Sequence, residues 1–168
     1  ESPEVVKYRK MYLGLMLDSG NHNCDIGSAA DESWTDFQIA AMENDKKEEL
    51  CPVWGECELQ ALAYRYQVKG RGSGRHREPL TLPVEDDNSF IYRDMSRCIL
   101  CGRCVAACNE VQVNQAIDFG FRGNNGKIIA GTGTTLKNSS CVFCGECVQV
   151  CPVGATYQTN DGGVLVDR

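Results

Sequence analysis

The sequence lacks the features of an exported, membrane-spanning or nucleic-acid-binding protein. No apolar run approaches the roughly 20 residues that cross a bilayer, and residues 1–4 are acidic and polar, unlike a secretory signal. The net charge is -6, and the one basic stretch, residues 69–77, is rich in glycine. We therefore expect no direct membrane span and no nucleic-acid partner, because phosphate binding needs concentrated Lys and Arg.

Groups for substrate chemistry are also scarce. The chain has two histidines, His22 and His76, and no evident Ser–His–Asp constellation. Residues 131–136 fail both the dinucleotide-binding and the P-loop patterns, so we expect no nucleotide site and no catalytic residue on this chain. An initiator methionine is also missing, from which we expect a longer gene product or a trimmed chain.

What the sequence does have is cysteine. Eleven cysteines are an awkward number for a disulfide framework, and several stand two residues apart, which suits metal binding better. Retained thiols without an export signal predict a reducing compartment, hence a cytoplasmic location.

Eight cysteines form two runs with one spacing, C-x2-C-x2-C-x3-C, at residues 98–108 and 141–151. A glycine follows the second cysteine of each run. Between the runs, residues 116–121 and 127–130 read as strands that are separated by a turn at 123–126. This internal repeat predicts a pseudo-symmetric α+β unit.

The spacing predicts two 4Fe-4S clusters. Three closely spaced cysteines can wrap one region of the cube, and the fourth tends to ligate the other cluster of a pair. Pro152 after Cys151 fits the bacterial ferredoxin pattern, whereas Asn109 after Cys108 departs from it. The predicted ligands are Cys98, Cys101, Cys104 and Cys151 for one cluster, and Cys141, Cys144, Cys147 and Cys108 for the other.

Three cysteines remain, and one histidine lies beside the first of them. His22, Cys24, Cys51 and Cys57 would supply the four ligands of a third cluster and leave no cysteine over. Structural zinc is the alternative for all these sites, but zinc prefers two separated cysteine pairs, which the four-cysteine runs fit poorly. A zinc-stabilised interaction module therefore stays as an alternative.

The sequence predicts that the chain divides into three parts: a helical first part at residues 1–68, a linker at 69–89 and a second part at 90–168. Helices are predicted at 2–19, 33–50 and 57–68 from their apolar spacing. Ser2 is the predicted cap of the first helix, and Pro3 occupies its first turn. The apolar positions are Val5, Tyr8, Tyr12, Leu15 and Met16 in the first helix, and Leu59, Leu62, Ala63 and Tyr66 in the third.

Several motifs together resemble the iron–sulfur chains of complex I, NAD-linked hydrogenases, iron-only hydrogenases and NAD-linked formate dehydrogenases. They are Cys57-Glu58-Leu59-Gln60, Arg93-Asp94 before Cys98, and residues 147–155. The His-x-Cys spacing at His22 is most similar to the diaphorase small subunit. The resemblance implies a helical segment with a His/Cys3 4Fe-4S cluster, followed by a bacterial ferredoxin-like domain with two 4Fe-4S clusters.

Two departures from this family are visible. The family places two residues between its first and second cluster cysteines, whereas 26 residues separate Cys24 from Cys51, which indicates an insertion at about 25–50. Family members also begin with a 2Fe-2S domain of plant type, whose C-x4-C-x2-C run is missing here. A 2Fe-2S cluster would then belong to a missing N-terminal domain or another chain.

The resemblance implies an electron-transfer subunit with three 4Fe-4S clusters in a multi-subunit, NAD(P)H-linked oxidoreductase. Its expected partners are a flavin- and NAD-binding subunit and a hydrogenase, formate dehydrogenase or other redox module. The alternative is a fragment of the catalytic chain of an iron-only hydrogenase or a formate dehydrogenase.

Overall fold

The computed structural model describes residues 1–19, 22, 53, 57–68, 82 and 84–158. The chain divides into two compact units, Glu1–Leu80 and Thr81–Arg168. The described part of the first unit is helical, and the second combines short helices with antiparallel strand pairs. The expected α+β mixture is therefore present.

In the first unit, helix α1 spans Pro3–Ser19 and begins as predicted. The Ser2 hydroxyl accepts a hydrogen bond from the Val5 N–H at 3.4 Å, and the Ser2 carbonyl accepts one from the Val6 N–H at 3.1 Å. These bonds satisfy two of the N–H groups that a helix start leaves without partners. Helix α1 packs against helix α2, Glu58–Arg65.

The buried face of α1 differs from the apolar stripe in the sequence. Leu13 and Leu17, one turn apart, are buried. The positions that indicated the helix are all exposed, namely Val5, Tyr8, Tyr12, Leu15 and Met16. Helical spacing identifies the helix, but α1 carries more than one apolar stripe, and packing selects which is buried.

Helix α2 is shorter than the predicted 57–68 and buries a partly different set of side chains. Leu59, Ala63 and Tyr66 are buried as predicted, whereas Leu62 is 41% exposed and its prediction was wrong. The buried face of α2 instead turns towards Gln60 and Tyr64. The Tyr66 hydroxyl accepts a hydrogen bond from Arg9 Nη1 at 2.7 Å, which ties α2 to α1.

The second unit contains two antiparallel strand pairs. Strand β1, Ile91–Arg93, pairs with β4, Thr156–Gln158, so the chain before the first cysteine run meets the chain after the second. Strand β2, Ile117–Gly120, pairs with β3, Lys127–Ala130, across a short 3-10 turn at Gly123–Asn125. The two strands and the turn that the sequence predicted between the runs are thus confirmed.

Short helices follow the cysteine loops. Met95–Arg97 is a 3-10 turn, helix α3 spans Arg103–Ala106 and continues into a π-helical turn at Ala107–Val111, and helix α4 spans Glu146–Gln149. Both helices pack against each other and against the strands. The core between them comprises Ile91, Cys108, Ala116, Ile117, Ile128, Ala130, Leu136 and Val148.

Part of the predicted linker belongs to the second unit. Glu85 and Arg93 exchange backbone hydrogen bonds at 2.9 and 3.0 Å, and the Asn88 side chain accepts one from the Ile91 N–H at 2.7 Å. Thr135 donates to Asp87 at 2.6 Å. Polar composition suggested a linker at 69–89, but the side chains of Glu85, Asp87 and Asn88 bind the backbone and side chains of the second unit.

The predicted helix at 33–50, the insertion at 25–50, and Cys24 and Cys51 lie outside the described residues. The described helices include none that combines the length and the apolarity needed to cross a membrane.

Candidate metal centre

The first cysteine run begins with a tight loop around its first sulfur. The Leu100 N–H donates to Cys98 Sγ at 3.4 Å, and Leu100 adopts a left-handed backbone with φ of 56°. Gly102, with φ of 75°, then starts helix α3. A left-handed non-glycine residue costs about 1–2 kcal/mol, and such strain persists where the surrounding structure demands it.

The second run repeats this loop. The Phe143 N–H donates to Cys141 Sγ at 3.4 Å, Phe143 has φ of 54°, and Gly145, with φ of 82°, starts helix α4. The sequence repeat is therefore a structural repeat down to the strained residue before the second cysteine. N–H groups aimed at sulfur stabilise the thiolate form, which is the form that binds metal.

The last cysteine of the second run lies with the first three cysteines of the first run. Burial is the main cause that raises the pKa of Cys98, and Cys151 and Cys101 act on it electrostatically. The pKa of Cys104 rises to about 11, again chiefly through burial, with Cys98, Cys151 and Cys101 as the charged neighbours. These four thiols therefore form one neighbourhood.

The reciprocal arrangement holds in the other direction. Burial raises the pKa of Cys141, whose cysteine neighbours are Cys108 and Cys144. Burial also raises the pKa of Cys147 to about 12, with further contributions from Cys104, Cys141 and Cys144. The contribution of Cys104 to Cys147 means that the two thiol neighbourhoods adjoin each other.

The donor set fits an iron–sulfur cluster chemically. Both neighbourhoods are built from thiols, the soft donors that iron–sulfur clusters take. Burial keeps Cys104 and Cys147 protonated at neutral pH, so holding them as thiolates requires positive charge nearby, which bound metal supplies. The part of the chain that the structure describes has no three side chains placed to hold a single metal ion.

Exposure also follows the repeat. Cys101 and Cys144, the second cysteines of their runs, are exposed, whereas Cys98, Cys104, Cys141 and Cys147 are half-buried. Cys108 is buried, and its Sγ accepts a hydrogen bond from the Ala116 N–H at 3.4 Å. One edge of each thiol group therefore faces the surface and the rest faces the core.

The chain after the last cysteine differs between the runs. Cys108 lies in the π-helical turn, and the next residue, Asn109, has a buried Oδ1 without a hydrogen-bond partner. In the second run, helix α4 ends before Cys151, and Pro152 follows. The departure from the proline pattern at Asn109 thus accompanies a local change of helix type.

Two of the four residues predicted to hold a third cluster lie in the described part of the first unit. His22 and Cys57 are both buried, and Cys57 directly precedes helix α2. Their predicted co-ligands, Cys24 and Cys51, lie outside the described residues.

Sequence reasoning assigned no role to Arg93 or Glu85, although Arg93 belongs to the motif that carried the family resemblance. Arg93 is buried and forms an ion pair with Glu85 at 3.1 Å. The available signal in the sequence was its position two residues after apolar Ile91, because a buried arginine needs a specific partner.

A known protein family matches the cysteine-rich part of the second unit. Residues 97–155 match the family model of the 4Fe-4S dicluster domain. The predicted iron–sulfur resemblance is therefore confirmed for this part of the chain.

Curated relatives extend the similarity along the chain. A Staphylococcus haemolyticus (strain JCSC1435) protein named as a formate dehydrogenase is 29% identical over 161 residues, which are 95% of this chain and 13% of the relative. A Staphylococcus aureus (strain USA300) protein that is also named as a formate dehydrogenase is 36% identical over 161 residues, again 95% of this chain and 13% of the relative. The NADP-reducing hydrogenase subunit HndD of Solidesulfovibrio fructosivorans is 39% identical over 75 residues, 43% of this chain and 12% of that subunit.

A solved structure shares the fold. A chain in the crystal structure of an NAD+-reducing nickel–iron hydrogenase in its H2-reduced state matches with a TM-score of 0.71 and 24% identity. The match covers 99% of this chain and 60% of that chain. The chain as a whole thus spans a small part of its curated relatives and more than half of this structural neighbour.

Proposed function

We propose that this chain carries three 4Fe-4S clusters and transfers electrons within a multi-subunit, NAD(P)H-linked oxidoreductase. The observation that carries the proposal is the exchange of fourth cysteines: Cys151 lies with the first run, and Cys108 with the second. Cross-ligation of this kind is the signature of two-cluster ferredoxins. The dicluster match over residues 97–155 supports the same conclusion.

Each cluster would have four ligands. Cys98, Cys101, Cys104 and Cys151 would hold one, Cys141, Cys144, Cys147 and Cys108 the second, and His22, Cys24, Cys51 and Cys57 the third. A bound 4Fe-4S cluster would accept and donate one electron at a time.

The chain's own residues would shape the electron path. Cys108 is buried and the other inner thiols are half-buried, which limits the access of water to both thiol neighbourhoods. Adjacent Cys104 and Cys147 join the two neighbourhoods, which favours electron exchange between them. Exposed Cys101 and Cys144 give each cluster one edge at the surface, where a partner could donate or accept an electron.

His22 would make the third site electronically different. A neutral imidazole in place of a thiolate leaves the cluster about one charge less negative, which raises its potential. We expect His22→Cys to keep this cluster and lower its potential, and His22→Ala to make it labile. A redox titration that shows neither change would remove His22 from the ligand set.

The proposed partners are a flavin- and NAD-binding subunit and a hydrogenase, formate dehydrogenase or other redox module, in the cytoplasm. The names of the relatives support this, since they are hydrogenase and formate dehydrogenase proteins. A 2Fe-2S cluster would belong to a preceding domain or to another chain. The purified chain should accept electrons from dithionite yet neither oxidise NADH nor evolve hydrogen.

A second candidate is that the chain is one segment of a longer formate dehydrogenase or hydrogenase polypeptide. The observation in its favour is the length of the relatives, since 95% of this chain aligns with 13% of one of them. A reading frame that continues into a catalytic domain would decide for this candidate, and one that closes near residue 168 would decide against it.

Metal content tests the proposal directly. Anaerobically purified chain should hold about twelve iron atoms and about twelve acid-labile sulfides, four of each per cluster. Cys57→Ala should lower both to about eight. Leu59→Ala is the matched control, because it truncates a buried residue of the same helix without removing a donor, and it should keep about twelve.

Two results would contradict the proposal. Stoichiometric zinc with little iron would favour the zinc-stabilised interaction module. About eight iron atoms in the unmodified chain, unchanged in Cys57→Ala, would leave the dicluster unit intact and remove the third cluster.

A further inference from the structure

Arg93 is a buried cation at the junction of the two strand pairs. Its side chain is 4% exposed, and its backbone pairs with Thr156 in β4. One guanidinium nitrogen contacts Glu85 at 3.1 Å, and the other donates to the Ile128 carbonyl of β3 at 3.0 Å. Arg93 therefore joins the sheet of β1 and β4 to the sheet of β2 and β3.

The repeat explains why one arginine serves both halves. Arg93 lies five residues before Cys98, and the same position before Cys141 is Leu136, which is buried and apolar. Glu85 connects the two positions, because its second oxygen accepts a hydrogen bond from the Leu136 N–H. The second half thus has no charge of its own at this position and shares that of Arg93.

The guanidinium lies against the core that carries thiols of both halves. Ile128, whose carbonyl accepts a hydrogen bond from Arg93, belongs to that core, and Cys98, Cys104, Cys141 and Cys147 pack against it. The same guanidinium also contacts Met95 Sδ at 3.5 Å, and Met95 packs against the core together with these cysteines. A positive charge at this place is close to both predicted ligand sets.

We infer that the positive charge of Arg93 acts on both clusters of the second unit and raises both of their reduction potentials. The negative charge of Glu85 limits this rise. The inference rests on the proposed function, since it needs clusters at both ligand sets. Reduction adds one electron, and hence one negative charge, to a cluster, and a nearby buried cation stabilises that charge. In the experiment below the electron comes from dithionite.

The test is a redox titration of the purified full chain, followed by EPR and measured for wild type and four variants. Arg93→Gln should shift both midpoint potentials downward. Arg93→Lys keeps the charge but loses the two-pronged contact, so its potentials should stay near wild type even if its stability falls. Glu85→Gln should shift both upward. Arg122→Gln, an exposed arginine beside the β2–β3 turn, is the matched control and should shift neither.

A purely structural tie between the sheets would destabilise Arg93→Gln and Arg93→Lys alike and leave the potentials of the folded protein unchanged. A shift of one cluster alone, or unchanged potentials in both Arg93→Gln and Glu85→Gln, would overturn the inference. Should Arg93→Gln not fold, Glu85→Gln decides it: an upward shift of both potentials supports the inference, and unchanged potentials overturn it. Iron and sulfide content separates the two failures: low iron in wild type refutes the proposed function, whereas full iron with unmoved potentials refutes only this inference.

Discussion

The two cysteine runs share their backbone and differ in their charges. In both, a residue with a left-handed backbone donates its N–H to the first sulfur, and a left-handed glycine starts the following helix. Yet Arg103 in the first helix corresponds to Glu146 in the second. The comparison teaches that the two cysteine loops keep one backbone geometry, while the residue after the left-handed glycine differs in the sign of its charge.

The runs also differ in how they end. The first continues into a π-helical turn with Asn109, and the second stops at Pro152. Each ending nevertheless brings its last cysteine to the other copy. The proposed exchange of the fourth cysteine is therefore compatible with both local helix types.

The largest expected effect comes from removing an exchanged cysteine. Cys108→Ser should disturb the cluster of Cys141, Cys144 and Cys147, because Cys108 lies with that group. Cys151→Ser should disturb the cluster of the first run. EPR of the reduced variants, with iron analysis, should show one altered cluster in each. If either variant altered instead the cluster built on the first three cysteines of its own run, the exchange of fourth cysteines would be contradicted.

Alkylation of the metal-free chain probes burial within each run. Thiolate is the reactive form, and burial raises the pKa of Cys104 to about 11 from an ordinary 9.0. At pH 8 its thiolate fraction is therefore lower by about 100-fold than that of an ordinary thiol. Pulse labelling with iodoacetamide and mass spectrometry should find Cys104 and Cys147 slow and the exposed Cys101 and Cys144 fast.

The labelling rate at Cys104 should rise about tenfold per pH unit until the pH reaches its pKa. The same chain in denaturant is the control, and all four rates should converge there. Equal rates without denaturant would mean that the metal-free chain does not keep the buried arrangement.

The paired glycines should differ by a smaller amount. An alanine at Gly102 or Gly145 must adopt positive φ, which costs about 1–2 kcal/mol. At Gly102 the new Cβ would also lie 3.0 Å from the Phe119 ring, whereas at Gly145 nothing lies within 4 Å. Gly102→Ala should therefore lower the thermal midpoint of cluster absorbance further than Gly145→Ala.

Phe119 offers the control for the glycine pair. Its ring is 53% exposed and can be truncated with little loss of core packing. Adding Phe119→Ala to both variants should make their midpoints fall equally. A difference that survives in the double variants would show that crowding by the ring is not its cause.

The smallest expected effect is that of the two corresponding charges, exposed Arg103 and half-buried Glu146. Arg103→Glu should lower the potential of the first cluster, and Glu146→Arg should raise that of the second. Because Arg103 is exposed and Glu146 is still partly in contact with solvent, each shift should be worth at most about 1 kcal/mol, or about 40 mV for one electron, and should shrink in high salt. Shifts of the same sign, measured by redox titration, would contradict the assignment.

The sequence predicted the parts of the fold that local rules control. Helix α1 with its Ser2 cap, the two strands between the runs and the turn at 123–126 all follow from residue type and spacing. The repeat predicted the two equal cysteine loops for the same reason. These features depend on neighbours in the chain, which a sequence displays.

The misses depend on contacts between distant residues. Leu13 and Leu17 are buried, and not the stripe at Tyr8 and Tyr12, because packing against α2 chooses the face. Polar Glu85 read as linker, and its role follows only from Arg93 and Leu136, eight and 51 residues away. No local pattern announces such a partner.

The pairing of β1 with β4 has a consequence for synthesis on the ribosome. Ile91 pairs with Gln158, so the first strand finds its partner only after both runs have been translated. By the proposed assignment, the second ligand set is complete once Cys147 emerges, since Cys108 is already present. The first set has its third cysteine at Cys104 and is complete only when Cys151 emerges. Cys151 is made 47 residues after Cys104, which takes about 2 to 9 s at ordinary elongation rates. The run that is made first is thus the last to be able to close around its cluster.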